Sequence, residues 1–401
     1  MSTSTRKDER GMRPACAIRA VVSALFMLLL AADAAVAQAR FFVYSVSTRS
    51  FTTFDVGGEP CGLPGINDLG QIVGAYTTTT VGFPCHGFVR DGKTITSFDH
   101  PGAYITQSTG INNAGQIVGT RCVFDSTRPH GTDCRAFLKD GQTFTSYEYP
   151  GALFTYGAKI NSFGQIAGTY RTQVVIGNSE QDFDHGLLID GTAFTAFEFP
   201  GTFGRTSAGG INDSSVIVGT YVEEVSSWPG FRYRGFLKQA DQFSSLDYPG
   251  ALFTFADDIN NLGQVVGTYT DSQGYSHGFI KDGDTFMPFG VFGAETVASG
   301  LNNLGQIVGL YYPLPVFSTI NTLIRDLGLL GLPKGTLNSL VAKLKEVITA
   351  FDTGDAAAAC ENLDAFDNQV EALAGKRLSF DLSDSLLSRA NEIEAMLGCS
   401  L

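Results

Sequence analysis

Two short patterns of apolar and polar positions recur through most of the chain. The first reads GINDLGQIVGAY from Gly65, GINNAGQIVGTR from Gly110, KINSFGQIAGTY from Lys159, GINDSSVIVGTY from Gly210, DINNLGQVVGTY from Asp258 and GLNNLGQIVGLY from Gly300. Successive copies start 45, 49, 51, 48 and 42 residues apart. In each, Asn-x-x-Gly predicts a turn, because Asn tolerates turn geometry and Gly takes positive φ; the run that follows is β-rich. The second pattern lies between copies of the first: HGFVRDGKTITSFDHPGA from His86, RAFLKDGQTFTSYEYPGA from Arg135, HGLLIDGTAFTAFEFPGT from His185, RGFLKQADQFSSLDYPGA from Arg234 and HGFIKDGDTFMPFGVFGA from His277. Here Asp-Gly separates two alternating apolar runs, the strongest short signal for a β-hairpin.

Two hairpins per period make four short strands. A period of about 48 residues falls in the range of propeller blades and solenoids, and four strands is the count of a blade. The segment Phe42–Asp55 matches the second pattern without the first, and Leu301–Tyr311 matches the first without the second. These halves predict one shared blade that closes a ring and hides its sheet edges. Five full units and one split unit give six blades. The expected fold class is an all-β six-bladed propeller-like repeat domain over 41–312, followed by a small all-α helical bundle over 313–401. The fourth unit departs from the pattern. Ser214-Ser215-Val216 replaces x-Gly-Gln and Gln239-Ala240 displaces Asp-Gly, so the turn signals are weakest there.

Beyond Pro313 and Pro315, Phe and Gly thin out while Leu, Ala, Asp and Glu rise. Leu337, Leu340, Val341, Leu344, Val347, Ile348 and Phe351 follow helical spacing, as do Leu363, Phe366, Val370 and Leu373, and then Leu386, Ala390, Ile393 and Leu397. With a first helix around Ile320–Leu327, four helices are predicted.

At the other end, Arg6, Lys7, Arg10, Arg13 and Arg19 precede an apolar run from Ala20 to Ala32. That run is shorter than the roughly 20 residues of a membrane span, and small residues at 35–39 offer cleavage sites. Residues 1–39 therefore read as a signal peptide for export to the periplasm or beyond, and no later stretch reads as a transmembrane segment. Six cysteines follow it, an even number suited to an oxidising compartment. Six allow 15 connectivities. The sequence-local pairing Cys61–Cys85, Cys122–Cys134 and Cys360–Cys399 is preferred because each pair lies within one structural unit. The net charge of −13 argues against a nucleic-acid or anionic-membrane partner.

The repeats resemble the extracellular HAF-repeat family of bacteria, named for a His-Ala-Phe-like signature. Here it reads His86-Gly87-Phe88, Arg135-Ala136-Phe137, His185-Gly186-Leu187, Arg234-Gly235-Phe236 and His277-Gly278-Phe279. Gly331-Leu332-Pro333-Lys334-Gly335, then Ala-Cys-Glu-Asn-Leu around Cys360, then Gly398-Cys399, is similar to the FIMAH domain of secreted bacterial proteins over 316–400. The first resemblance implies a secreted repeat protein with no established reaction; the second implies an accessory module.

No Gly-x-Ser-x-Gly, HExxH, P-loop or CxxC motif is present, and no catalytic residue, metal site or cofactor is expected. Calcium would want several carboxylates per Asn turn, and each turn has one at most. The most regular constellation is a basic–acidic pair 13 residues apart: His86 with Asp99, Arg135 with Glu148, His185 with Glu198 and Arg234 with Asp247. A hairpin sets such positions opposite each other on one face. They read as structural ion pairs. The spacing also sets Phe42 against Asp55 and His277 against Gly290. A sharper reading has His86, His185 and His277, on alternate blades, form an axial ring for an anion or metal. The connectors between the two patterns vary most and leave one side of the ring, where a rigid scaffold displays binding residues. Trp228, Phe231, Tyr233 and His130 are the candidate contact residues. Two functions follow. One is a secreted, non-enzymatic protein that binds a protein or glycan through the loop face. The other is a secreted propeller glycoside hydrolase or lyase using axial carboxylates.

Overall fold

The computed structural model describes residues 39–79, 83–176, 179–202, 204–225, 230–272, 274–291, 294–313, 315–352 and 355–399. Residues 1–38 of the expected signal peptide and Trp228 lie outside them. Among the described residues, twenty-four strands form six four-stranded antiparallel sheets. Blade 1 runs from the axis outward as β3–β6 (Glu59–Ile66, Ile72–Thr77, His86–Asp91, Thr94–Phe98). Blade 2 is β7–β10 (Ile105–Ile111, Ile117–Phe124, Thr132–Asp140, Thr143–Tyr147) and blade 3 is β11–β14 (Phe154–Ile160, Ile166–Ile176, Ser179–Asp190, Ala193–Phe197). Blade 4 is β15–β18 (Thr206–Ile211, Ile217–Glu224, Phe231–Gln239, Gln242–Leu246) and blade 5 is β19–β22 (Phe253–Ile259, Val265–Thr270, Ser276–Asp282, Thr285–Phe289). Blade 6 takes its inner strands β23 (Ala294–Leu301) and β24 (Gln306–Pro313) from the end of the repeats and its outer strands β1 (Arg40–Ser45) and β2 (Ser50–Phe54) from their start. The fold is the six-bladed propeller with one split blade that the repeats predict.

The core is not one body. Six apolar clusters each fill the space between two neighbouring blades, as where Val73 of blade 1 meets Ile111, Ile117 and Phe137 of blade 2. Second strands such as β8 and β16 are buried along six consecutive residues because a blade covers each face. Fourth strands such as β6 and β10 are half exposed. This arrangement explains the three-residue signature. Its third residue, Phe88, Phe137, Leu187, Phe236 or Phe279, is wholly buried. Its middle Gly leaves room for a ring: a Cβ on Gly186 would sit 2.2 Å from Phe197.

The split blade corrects one alignment. Phe42 pairs with Gly309 as Phe88 pairs with Gly74, so the signature reads Arg40-Phe41-Phe42. One residue beyond the pair Phe41↔Phe54, Arg40, not Phe42, falls opposite Asp55. The cause is a longer turn. Ser45 pairs with Ser50 across four loop residues, whereas Asp91 pairs with Thr94 across two.

The fourth unit keeps both turns without their glycines. Ser215 takes φ 56° where every other unit places Gly, and Ala240 takes φ 50° where the other unsplit units place Gly.

All three disulfides are formed: Cys61–Cys85, Cys122–Cys134 and Cys360–Cys399. Four helices follow the blades: α1 (Pro315–Leu329), α2 (Lys334–Asp352), α3 (Ala356–Leu373) and α4 (Phe380–Leu397). The first is longer than the spacing alone predicts, because Val316 and Phe317 also enter the bundle core and Pro315 suits a first helical position. Asp355 and Ser379 cap α3 and α4, and Gly398 ends α4 at φ 73°. Cys360 on α3 is tied to Cys399 just past α4. Among the described residues no helix is long and apolar enough to cross a membrane.

A left-handed conformation costs an L-residue about 1–2 kcal/mol, and glycine escapes that cost. Ala240→Gly is therefore expected to stabilise the propeller by about 1 kcal/mol net of the unfolded-state entropy of glycine. A raised denaturant midpoint checks this; a lowered one contradicts it.

Candidate functional site

The ring has two unlike faces. One carries the Asn turns between first and second strands and the hairpin turns between third and fourth strands. Gln71, just after an Asn turn, reaches Asp91 at a hairpin turn (3.0 Å), which places both sets together. The opposite face carries the connectors, and it also carries the basic–acidic pairs.

At the axis, five of the six turn Asn residues use their whole amide; Asn212, with Val216 in place of Gln, makes all these bonds but the one to a Gln side chain. Asn67 Oδ1 accepts the N–H groups of Leu69 and Gln71, and its Nδ2 donates to Gln71 Oε1 and to the carbonyl of Asn112 in the next blade (3.0 Å). The same link runs from Asn112 to Asn161, Asn161 to Asn212, Asn212 to Asn260, Asn260 to Asn302 and Asn302 back to Asn67, at 3.0 to 3.2 Å. Six buried side chains thus close one hydrogen-bonded circle. The following residues make a second, broken circle. Asp68, Ser162, Asp213, Asn261 and Asn303 each donate a backbone N–H to the next blade's side chain, but Ser162 has no carbonyl oxygen to receive Asn113. Burial pushes the Asp68 carboxyl up, but hydrogen bonds from Asn113 and Asn303 outweigh it and hold it below the ordinary value. Its oxygens are already occupied.

Inside this circle lies an axial cavity of about 80 Å³. Pockets for drug-sized ligands run from about 300 Å³ upward, so it has room for water or a small ion but not for a sugar. Its walls come from the Asn turns and, at the first position of the Asn pattern, from Gly110, Lys159 and Asp258; that position is Gly65, Gly210 and Gly300 in the other blades. A Cβ on Gly110 would stand 2.9 Å from Lys159 Cα, and one on Gly210 would stand 2.6 Å from Asp258 Cα. Side chains therefore cannot occupy adjacent blades here. Lys159 and Asp258 obey this, with Gly210 between them. Both are buried. The Lys159 ammonium donates to the carbonyls of Thr109 (2.6 Å) and Pro64 (3.2 Å). The Asp258 oxygens accept the N–H groups of Ile259 (2.9 Å) and Leu301 (3.1 Å). Burial pushes the Asp258 carboxyl up to about 6 despite the Lys159 charge, and burial lowers Lys159 despite Asp258 and Asp257. These two residues are absent from the sequence reading. Their signal was the departure from Gly at one repeat position.

On the connector face, His86 Nδ1 lies 3.0 Å from Asp99, Arg135 2.9 Å from Glu148, and Arg234 2.9 Å from Asp247; His185 contacts Glu198. Arg121, Arg128 and Asp133 extend the Arg135 pair into a network. His277, which faces Gly290, turns instead to Asp271 at 2.8 Å. The three histidines lie on third strands against carboxylates of their own blades, so they do not converge on the axis.

Phe231 and Tyr233 are brought together (5.6 Å) with Phe253 and Phe255 of the next blade's inner strand, Tyr233 lying 5.7 and 5.2 Å from them. His130 sits apart, between blades 2 and 3, with Phe154 at 6.3 Å and Gln173 Nε2 at 3.2 Å. A further aromatic group at the junction of blades 1 and 2 escaped the sequence reading. Phe124, 77% exposed, stacks on Tyr104 at 3.9 Å, and Phe83 lies 6.0 Å from Tyr104. Its members come from two connectors and a strand end, and no single motif joins them.

No family model matches the chain, and no curated protein matches it. Among solved structures the chain is similar to the β-propeller domain of the Trilobed protease from Pyrococcus furiosus, at 11% identity and TM-score 0.42, over 68% of this chain and 80% of that one. It is also similar to the six-bladed fucose-recognising lectin of Aleuria aurantia, at 11% and 0.38, over 60% and 83%. A third is a polysaccharide lyase, an ulvan lyase, at 10% and 0.36, over 65% and 79%. Likeness at this level reaches no further than the propeller outline, which the strand pairing already establishes.

Removing one partner of a buried pair costs about 3–5 kcal/mol, while replacing both is often neutral or stabilising. Lys159 and Asp258 are coupled by charge rather than by a direct hydrogen bond, so Lys159→Gly and Asp258→Gly are each expected to destabilise by up to about 3–5 kcal/mol, and the double variant, which restores the glycine of the other blades, to recover most of it. Because the folded pKa of Asp258 lies above its unfolded value of 3.8, the folded state holds this proton more tightly. Its ionisation therefore costs stability as pH rises from about 4 through about 6. Denaturation of wild type and double variant at pH 4 and pH 7 checks both. The wild type should lose ground relative to the double variant across that interval.

Proposed function

We propose that this chain is an exported, non-enzymatic repeat protein that binds a protein or glycan through the connector face of its propeller. The helical bundle serves as an interaction or anchoring appendage. The observation that carries this reading is the pair of partly open aromatic groups on that face, Phe83–Tyr104–Phe124 and Phe231–Tyr233–Phe253–Phe255. A ring whose face is open to solvent can stack on a sugar or a partner side chain, and Tyr adds a hydrogen-bonding tip. Export is supported by three disulfides, which persist in oxidising compartments, and by the basic-then-apolar pattern of residues 1–39. The signature residues and the Cys360–Cys399 framework support placing the two parts with the HAF-repeat family and the FIMAH domain.

The rival reading, a glycoside hydrolase or lyase, needs two unengaged acids about 5–5.5 Å or 6.5–9.5 Å apart. Asp99, Glu148, Glu198 and Asp247 each lie against a basic side chain, and Asp258 is spent on backbone N–H groups. That weighs toward binding.

A glycan and surface-protein screen of the oxidised mature chain is expected to yield a ligand whose affinity falls at least tenfold, about 1.4 kcal/mol, in Phe124→Ala or Tyr233→Ala with thermal stability unchanged. Turnover of a polysaccharide that survives both substitutions would sink the reading.

A further inference from the structure

The Asn turns carry a third residue that the ring does not use. In blade order it is Leu69, Ala114, Phe163, Ser214, Leu262 and Leu304. Their backbone N–H groups are spent on the Asn Oδ1 of their own turns, so the turn tips are rigid. The four large side chains are 66, 73, 67 and 67% exposed. A single exposed Leu needs no explanation. Four at one repeat position form a coplanar apolar crown around the mouth of the axis, and such patches mark contact surfaces.

We propose that this crown is the contact face of a homodimer, in which two propellers stack turn face to turn face about a two-fold axis perpendicular to the propeller axis. The case for a second copy rests on self-complementarity. From blade 1 to blade 5 the tips alternate large and small, so a facing copy can set its large tips over the other's small ones. In a face-to-face two-fold, blades pair in reverse order, and three registers place the two-fold between blades. When it passes between blades 1 and 2, and so also between 4 and 5, Leu69 faces Ala114, Leu262 faces Ser214 and Phe163 faces Leu304. Asp68 and Asp213 then each face an asparagine. Farther out, the blade 3 hairpin turn, whose charge is Asp190, faces the blade 6 turn, whose charge is Arg49; both are exposed. Each of the other two registers sets like charges together. One puts Asp68 opposite Asp213, and the other puts the net positive turns of blades 1 and 6 against each other. Like charges in contact disfavour a register. The resulting dimer leaves both connector faces pointing outward, so two equivalent ligand surfaces would share one particle and gain by multivalency.

The test is the mass in solution of the oxidised mature chain, measured by light scattering over a series of concentrations. Wild type is expected at twice the chain mass. Phe163→Glu and Leu262→Glu are expected at the chain mass, with thermal melts that match wild type measured where it is dilute enough to be monomeric, because both side chains are exposed on the single chain. Arg49→Glu should weaken the dimer at least tenfold, and adding Asp190→Arg should restore it, since the swap re-forms the opposite-charge contact only in the stated register. A wild type that is monomeric at every concentration, a dimer untouched by both crown substitutions, or a crown that drives binding to neutral phosphatidylcholine vesicles instead, overturns the proposal. Dissociation by the crown variants without rescue by the swap overturns the register.

Discussion

The structure hangs on a single side chain used six times. Asn67, Asn112, Asn161, Asn212, Asn260 and Asn302 each close their own turn with Oδ1 and hold the next blade's turn with Nδ2. Only a primary amide offers two acceptor lone pairs and two donors at this reach. An aspartate would put an acceptor against the neighbouring carbonyl, and a serine would span neither bond. The circle is buried, so an unmade bond there is not replaced by water and costs the full desolvation of the orphaned group. Its last step, Asn302 to Asn67, and the pairing of β1 with β24 fasten together residues from opposite ends of the repeats.

That circle sets how much asymmetry each region tolerates. Near the axis the blades approach so closely that a Cβ at one repeat position meets the Cα of the next, which forces glycine at least at every other blade. Lys159 and Asp258 occupy the space that remains and neutralise each other in a site too small for an organic ligand. Farther out the inter-blade clusters accept Leu187 for Phe, or Phe41 for Gly, by local repacking. Beyond the strand ends the described connector residues take no part in the Asn circle, and the connector sequences differ most. Variation rises with distance from the axis because the steric and hydrogen-bond demands fall.

What was legible in the sequence follows the same gradient. Blade number, the split blade, the turns and the helix faces were readable, because each is a local pattern repeated under one constraint. The three disulfides were readable for a related reason: each cysteine pair lies within one unit, and Cys122 and Cys134 are direct cross-strand neighbours. The place of Arg40 was not readable, because it depends on the number of residues in the Val46–Arg49 turn, which no apolar alternation records. The Lys159–Asp258 pair was in plain view as two departures from glycine, but its meaning needs the closeness of blades that lie 99 residues apart in sequence. The aromatic groups were hidden more deeply. Tyr233 reaches Phe253 and Phe255 only because neighbouring blades bring a third strand beside an inner one, and Phe124 meets Tyr104 only because the pairing of β7 with β8 carries on past its last paired residues.

The charge pairs show why the repeat itself is a poor place for chemistry. A hairpin of fixed register puts residues 13 apart opposite one another, so whatever acid the pattern supplies at the fourth strand's end meets whatever base it supplies at the third strand's start. Where the acid is missing, as at Gly290, His277 finds Asp271 instead. Where a further base is added, as with Arg128, it joins the network around Glu148 and Asp133. Carboxylates held this way are already solvated by their partners, and using one as a free nucleophile or base would mean breaking a contact that the register renews. Groups that meet a ligand must then come from positions outside these pairs, and those proposed are the aromatic side chains of the connector face and the apolar tips of the Asn turns. On the proposed reading, one face offers irregular aromatic groups to a foreign ligand and the other offers a regular crown to a copy of itself.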